Sequence, residues 1–189
     1  MGSFSKADKA GEAGNSMQPI PPRYGNREST KPEAREAGDS KMPHTYTNLL
    51  FHIVFSTKDR FPFINSEFEE RLYKYIGGTI RGIGGICLEI GGVADHVHIL
   101  VRLKPTLQIS RFLEKLKPSV PIWARQTIDP KFEWQDGYGA FTVGESQIPS
   151  VRNYIRNQKV HHQKQTFDDE FKSMLTQATI EFDERYLWR

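Results

Sequence analysis

His96 and His98, two positions apart, and Tyr154 and Gln158, four apart, are the residues of this 189-residue chain whose types and spacing point to chemistry. The histidines lie in Val93-Ala94-Asp95-His96-Val97-His98-Ile99-Leu100-Val101, whose aliphatic and β-branched residues predict a strand. Side chains two apart on a strand face the same way, so both imidazoles project together while Val97, Ile99 and Val101 face the other side. Tyr154 and Gln158 fall in residues 149–158, a stretch that reads as a helix and puts phenol and amide on one face. Imidazoles with an amide oxygen suit a divalent metal, and a phenol beside them suits attack on a phosphodiester. Each half also has an ordinary use. Paired histidines occur on half-buried sheets, and a helical tyrosine commonly packs, because a phenol is a poor nucleophile unless a metal or charged neighbours assist it.

The elements that must position these groups follow from periodicity. Residues 46–56 read as a first strand containing His52, followed by the polar turn Thr57-Lys58-Asp59-Arg60. Ser66 with Glu69 resembles a capping box, and Phe68, Leu72, Ile76, Ile80 and Ile83 then recur at helical spacing until Gly84-Gly85 closes the helix. Residues 86–90 and 93–103 read as a hairpin joined through Gly91-Gly92, with both histidines on its second arm. A second helix carries Ile109, Phe112, Leu113 and Leu116 inward until Pro118 and Pro121 interrupt it. Phe141-Thr142-Val143 is a short strand before the Tyr154 helix. The order β, α, β, β, α, β, α predicts an α+β fold: a ferredoxin-like (RRM-like) antiparallel sheet with helices on one face. Such a fold hosts RNA binders, small enzymes and metal modules alike, so the site must carry the functional argument.

Composition narrows the setting. Residues 1–41 are rich in Gly, Ala, Pro, Ser and mixed charge, with few large apolar residues, and are expected to be a disordered extension. They lack the apolar run of a secretory signal, and Met42 offers an alternative start. Residues 42–189 suit one compact domain. The single cysteine, Cys87, lies in an apolar run, which excludes an intrachain disulfide and fits a buried thiol in a reducing compartment. No apolar run approaches the length of a membrane span. A net charge of +3 permits nucleic-acid binding without requiring it, so any such contact must come from local basic clusters.

Three further strings make a resemblance specific. They are Phe132-Glu133-Trp134-Gln135-Asp136-Gly137-Tyr138-Gly139-Ala140-Phe141, then Asn153-Tyr154-Ile155-Arg156-Asn157-Gln158-Lys159-Val160-His161-His162, and the end Phe182-Asp183-Glu184-Arg185-Tyr186-Leu187-Trp188. With His-Val-His in order before them, the chain from about His44 to Trp188 resembles the single-tyrosine HUH transposases of small bacterial insertion sequences, the TnpA type, with the REP-associated tyrosine transposases as close relatives. The resemblance implies an HUH endonuclease core in which His96, His98 and Gln158 hold one Mg²⁺ or Mn²⁺ ion. It implies that Tyr154 attacks the scissile phosphate of single-stranded DNA at hairpin-bearing element ends, keeping the 5′-phosphate while a 3′-hydroxyl leaves. It also implies a bacterial cytoplasmic protein, associated with the nucleoid when acting, and a homodimer in which the tyrosine helix of one subunit serves the histidines of the other. Gly137, Gly139 and Gly144 before that helix suit a hinge.

Candidate DNA contacts are Lys58 and Arg60 after the first strand, Lys115, Lys117 and Ser119 on the second helix, and Arg152 and Arg156 beside the tyrosine. Pro118 and Pro121 interrupt the small, hydroxyl-rich stretch that relatives carry near Lys117. His161 and His162 are left without a role. Two other readings stay open: a host-domesticated REP-associated hairpin-processing nuclease, and a non-catalytic nucleic-acid-binding module on the same fold, for which exposed aromatics on the strands would be expected in place of histidines.

Overall fold

The computed structural model describes residues 46–187; the extension expected over residues 1–41 lies outside them. Four strands pair antiparallel in the order β2-β3-β1-β4, where β1 is Leu49–Ser56, β2 Ile86–Val93, β3 His96–Leu103 and β4 Gly139–Thr142. Helices α1 (Glu69–Ile83) and α2 (Ile109–Thr127) fill the two crossovers, completing the ferredoxin-like α+β fold that the sequence predicts. Strand alternation sorts the side chains. Ile53 and Phe55 of β1 and Val97, Ile99, Val101 and Leu103 of β3 join Leu72, Ile76 and Ile80 of α1 and Phe112, Leu113 and Leu116 of α2 in the main core.

The opposite face of the same strands carries His52, His96, His98 and Leu100, all buried. Three C-terminal helices gather over it: α3 (Ile148–Arg156), α4 (Gln158–His161) and α5 (Phe167–Gln177). A second, smaller core of Leu50, Leu100, Val143 and Ile155 forms beneath them. The expected one-sided arrangement therefore describes α1 and α2, and the far face receives the C-terminal helices.

Several boundaries differ from the sequence reading, each for a physical reason. Tyr46 is exposed and β1 begins at Leu49, where pairing with Leu103 starts. The α1 entrance is organised by Asn65, whose Oδ1 accepts from the backbone N–H groups of Glu67 (3.0 Å) and Phe68 (3.1 Å), and Ser66 does not cap it. Gly84 ends the helix in the left-handed region (φ 99°), as expected. The hairpin turns at Ala94-Asp95, pinned by Thr57 N–H to Asp95 O (2.8 Å) and Ile64 N–H to Ala94 O (2.9 Å). Gly91 and Gly92 are inside β2, and crowding explains them. A Cβ on Gly91 would stand 2.6 Å from the carbonyl oxygen of Ile155 in α3, and one on Gly92 would collide with His96 O.

The prolines of α2 do not end it. Pro118 frees a carbonyl on exposed Glu114 and Pro121 one on half-buried Lys117, while Leu116, Val120, Pro121 and Ala124 stay buried against the core and Trp123 stacks on Tyr75 at 4.6 Å. Burial on that scale outweighs the roughly 3 kcal/mol that an interior proline costs a helix. The Tyr154 helix, in contrast, is broken. Asn157, at φ −97° and ψ 15°, separates α3 from α4.

The glycine contacts generate a paired prediction. Gly91→Ala should lower the unfolding free energy by about 1–3 kcal/mol, because the backbone of α3 must move away from β2. Gly78→Ala, in mid-α1 with nothing within 4 Å of the added methyl, should raise it by up to about 1 kcal/mol. Urea denaturation of both variants checks the signs; a neutral Gly91→Ala would mean that α3 does not press on β2.

Candidate active site and metal centre

The register of β3 brings His96 and His98 to one face, opposite Ser56 and Val54 of β1 and Val93 and Gly91 of β2. Both are fully buried. His96 Nδ1 donates to Asp95 Oδ1 (2.8 Å), since a carboxylate only accepts, and that tautomer carries its lone pair at Nε2. His98 Nδ1 meets His52 Nε2 at 3.0 Å, so a single proton is shared between those two rings. Its Nε2 is buried without a hydrogen-bond partner.

Helices α3 and α4 deliver Tyr154 and Gln158 onto this face despite the break at Asn157. The Tyr154 ring stands edge-on to His98, centroids 5.7 Å apart, and to His52 at 6.0 Å. Gln158 is buried, with Oε1 3.4 Å from His96 Nε2. All four residues singled out from the sequence thus converge within one chain.

Glu170 of α5, which the sequence reading missed, lies at the centre. It is 3% exposed. Its Oε1 accepts from the Tyr154 hydroxyl and from Gln158 Nε2 (3.0 Å), and its Oε2 accepts from His162 Nε2 (3.0 Å). The same Oε2 lies 3.6 Å from His96 Nε2 and 3.4 Å from His98 Nε2. His96, His98, His162 and Glu170 each offer a donor atom within 4.8 Å of the others, a group able to hold a metal ion. A signal did exist: Phe167, Glu170, Phe171 and Met174 share one helical stripe, and a carboxylate on an apolar stripe announces a partnered, buried charge.

Burial and this carboxylate set the protonation states. Burial disfavours the charged imidazoles, pushing His98 down to about 4 and His52 to about 3. Burial alone would raise Glu170, but the hydrogen bonds from His162 and Tyr154, with the His98 imidazole close by, together outweigh it and hold the group well below the usual carboxylate range. Burial, then the hydrogen bond and charge of Glu170, push the Tyr154 phenol above its ordinary value. The phenol therefore rests protonated, its O–H directed at Glu170.

The basic residues are placed less simply. Lys58 and Arg60 sit at the end of β1, Arg60 paired with Asp168 of α5. Lys115 is exposed on α2. Lys117 donates to the backbone oxygens of Gln135 (2.7 Å) and Gly137, and Ser119 Oγ to Leu116 O (2.8 Å). Arg152 donates to Leu88 O (2.8 Å), and Arg156 pairs with Glu89 at 2.8 Å, so both arginines tie α3 to β2. An open groove of about 800 Å³ is lined by Arg60, Asp95, His162, Lys164 and Phe167 among others. Of the three glycines expected as a hinge, only Gly137 has a positive φ (79°); Gly139 leaves room for the rings of Phe171 and Phe141. Cys87 is half-buried, its thiol pushed up to about 11 by burial.

A ferredoxin-like sheet whose β3 carries paired histidines, with a tyrosine helix laid across them, defines the class of fold and site. Residues 45–158 match the family described as Transposase IS200 like, and the chain belongs to that family of enzymes acting on DNA. It is 29% identical over 133 residues to the transposase for insertion sequence element IS200 of Salmonella typhimurium, covering 64% of this chain and 84% of the relative; the Salmonella typhi protein matches to the same extent. The fold is also that of a candidate transposase from Deinococcus radiodurans R1, whose crystal structure aligns with a TM-score of 0.52 and 22% identity over 64% of this chain and 98% of that one. Among the described residues, no helix is long and apolar enough to cross a membrane.

The depressed histidines make stability pH-dependent in a definite direction. The unfolded chain takes up protons at His52 and His98 below about pH 6.5, whereas the folded chain resists until about 4 for His98 and about 3 for His52. Unfolding is therefore favoured as pH falls through that window, and the depressed Glu170 adds to the loss below its unfolded value. Denaturant melts of chelator-treated protein at pH 7 and pH 5 should differ by about 2 kcal/mol or more, with pH 5 the less stable. Equal stabilities would mean that the rings are not held neutral.

Proposed function

We propose that this chain cleaves and rejoins single-stranded DNA by transesterification through a 5′-phosphotyrosine on Tyr154, at the hairpin-bearing ends of an insertion sequence. The observation that carries this reading is the placement of the Tyr154 hydroxyl on a carboxylate whose other oxygen faces both β3 histidines. A phenol packed for structure alone does not need a buried carboxylate and a metal-ready donor group as neighbours.

The donor set fits a divalent ion. The lone pair of His96 Nε2 faces the amide oxygen of Gln158, an acceptor turned toward an acceptor, and such a pair is stabilised by a cation between them. His96, His98 and Gln158 would hold Mg²⁺ or Mn²⁺, which supplies positive charge at the non-bridging oxygens of the scissile phosphate. The chain's own residues do the rest. Glu170 Oε1 receives the phenolic hydrogen bond and aligns the Tyr154 oxygen. That oxygen forms the new bond to phosphorus as the phenolic proton passes to Glu170 Oε1, the bond to the 3′ oxygen breaks, and the 3′ oxygen takes that proton and leaves as a hydroxyl. Because the phosphotyrosine preserves the energy of the broken phosphodiester, a DNA 3′-hydroxyl can attack it and release Tyr154 without ATP. Burial of His52, His96, His98, Gln158 and Glu170 keeps bulk water from competing as the nucleophile.

For substrate contact, the open groove beside His162 and Lys164 supplies a path for the strand, with Arg60 at its wall and Lys58 adjacent in sequence. Exposed Lys115 is the free basic candidate on α2. We infer a bacterial cytoplasmic protein acting at the nucleoid, and a homodimer whose composite sites exchange the tyrosine helix.

Tyr154→Phe should keep its fold and hairpin binding but form no covalent adduct with a labelled single-stranded element end. An adduct in that variant would transfer the role to another tyrosine, with Tyr138, 42% exposed, the first to test. His96→Ala and His98→Ala should abolish cleavage while leaving DNA affinity within a few-fold, since phosphate contacts dominate binding.

Mixing Tyr154→Phe with His96→Ala/His98→Ala subunits should restore part of the cleavage, because a shared site would combine intact histidines from one chain with an intact tyrosine from the other. Differently tagged chains establish that heterodimers have formed. Confirmed heterodimers without cleavage would assign the reaction to the one-chain site seen here.

A further inference from the structure

We propose that Glu170 is itself a ligand of the divalent ion, forming with His96 and His98 a two-histidine, one-carboxylate donor set that reaches the sheet from α5. This deepens the metal-dependent reading of the same site and rests on it.

Four observations converge. First, Asp95 accepts the hydrogen bond from His96 Nδ1–H, which leaves the lone pair on Nε2, and Nε2 faces Glu170 Oε2 at 3.6 Å. Second, His98 Nε2, buried and without a hydrogen-bond partner, lies 3.4 Å from that oxygen. These separations are long for hydrogen bonds. They are close to the roughly 3.0–3.4 Å expected between neighbouring donors that each bond one ion at about 2.1 Å.

Third, the two carboxylate oxygens have different surroundings. Oε1 is occupied by the Tyr154 hydroxyl and by Gln158 Nε2, whereas Oε2 faces the histidines and receives only His162. His162 therefore orients the carboxylate with Oε2 toward the ring nitrogens. Fourth, Mg²⁺ and Mn²⁺ prefer charged oxygen to neutral amide, and a buried carboxylate among imidazole donors is stabilised by a cation. Gln158 Oε1, 3.4 Å from His96 Nε2, remains a secondary donor. Glu170 thereby links the ion to the nucleophile: one oxygen on the metal, the other on the Tyr154 hydroxyl. The nucleophile is then held at a fixed place relative to the ion before DNA arrives.

The test is Mn²⁺ binding by calorimetry on the full chain, with free Mn²⁺ followed by electron paramagnetic resonance. The near-isosteric Glu170→Gln should bind Mn²⁺ at least tenfold more weakly than the unsubstituted protein, and Gln158→Ala should lose less than Glu170→Gln. Unchanged affinity in Glu170→Gln overturns the proposal. Anomalous diffraction from Mn²⁺-soaked crystals of the unsubstituted protein is independent of how the variant folds. The ion is expected within bonding distance of Glu170 Oε2, and an ion held by His96, His98 and Gln158 with Glu170 out of reach overturns the assignment. If that occurs while the Tyr154–DNA adduct still forms, the ligand fails and the transposase reading stands. An ion bound to Glu170 with no adduct on any single-stranded element end supports the ligand and removes the proposed reaction.

Discussion

One buried carboxylate governs the functional half of this molecule. An unpaired ionised Glu170 in an apolar interior would be prohibitively costly, so the fold must surround it with hydrogen on every accessible side. It does so with groups from two helices and the turn that follows them: Tyr154 of α3, Gln158 of α4 and His162 immediately after α4. Helices α3, α4 and α5 are thereby joined through a single side chain, and their common seat on the sheet is set by the two β3 histidines facing it. Removing this charge would leave the donors around it unsatisfied, so the site and the packing of the C-terminal helices are one energetic unit.

The seat itself depends on the absence of side chains. Gly91 pairs with His98 across the ladder, and its bare Cα lets the Ile155 carbonyl of α3 approach. Arg152 and Arg156 then fasten the helix from the outside, through Leu88 O and Glu89. Ile155 fills the second core on one side of the helix while Tyr154, the next residue along, is turned toward the histidines. The position of Tyr154 thus results from ordinary packing: a glycine notch, an apolar anchor and two arginine struts. Two of the basic residues that look suited to DNA have been drawn into this structural role, and Lys117, bonded to the carbonyls of Gln135 and Gly137, into another.

Which parts of this were legible in the sequence follows from how local each signal is. Strand alternation around His96-Val97-His98 and the helical recurrence of Leu72, Ile76 and Ile80 depend only on neighbours, and both appear as expected. The Ala94-Asp95 turn is masked by Gly91-Gly92, a turn-like pair whose real causes are the Ile155 carbonyl of α3 against Gly91 and the His96 backbone against Gly92. The prolines of α2 predict a break at their local cost, and burial of Val120 and Ala124 overrides it. Glu170 escaped because its partners come from separate elements, and nothing in Phe167-Asp168-Asp169-Glu170 distinguishes the third acid from its neighbours except its place on the apolar stripe. His52 escaped for a similar reason: its contact with His98 exists only through the β1–β3 register, which brings Val54 opposite His98 and leaves His52 two residues along the same face.

The two halves of the site differ in where they come from, and this bears on how it could be shared. His52, Asp95, His96 and His98 belong to the sheet and its hairpin, whereas Tyr154, Gln158, His162 and Glu170 fall within a single run of 17 residues after β4. Every contact that completes the centre, from Glu170 to the imidazoles and from Gln158 to His96, crosses the boundary between these two sets. A segment exchanged between subunits would therefore carry the Tyr154 phenol, the Gln158 amide, His162 and the Glu170 carboxylate together, with their mutual hydrogen bonds intact. The groups left behind would keep Asp95 on His96 and His52 on His98. Exchange of this kind needs no contact to be redesigned, since the same donors meet across the boundary whichever chain supplies them. In the proposed homodimer it would have to break the fastening of α3 to β2, namely the Gly91 notch and the Arg152 and Arg156 struts, and the strength of those contacts would set the balance between a one-chain site and a shared one.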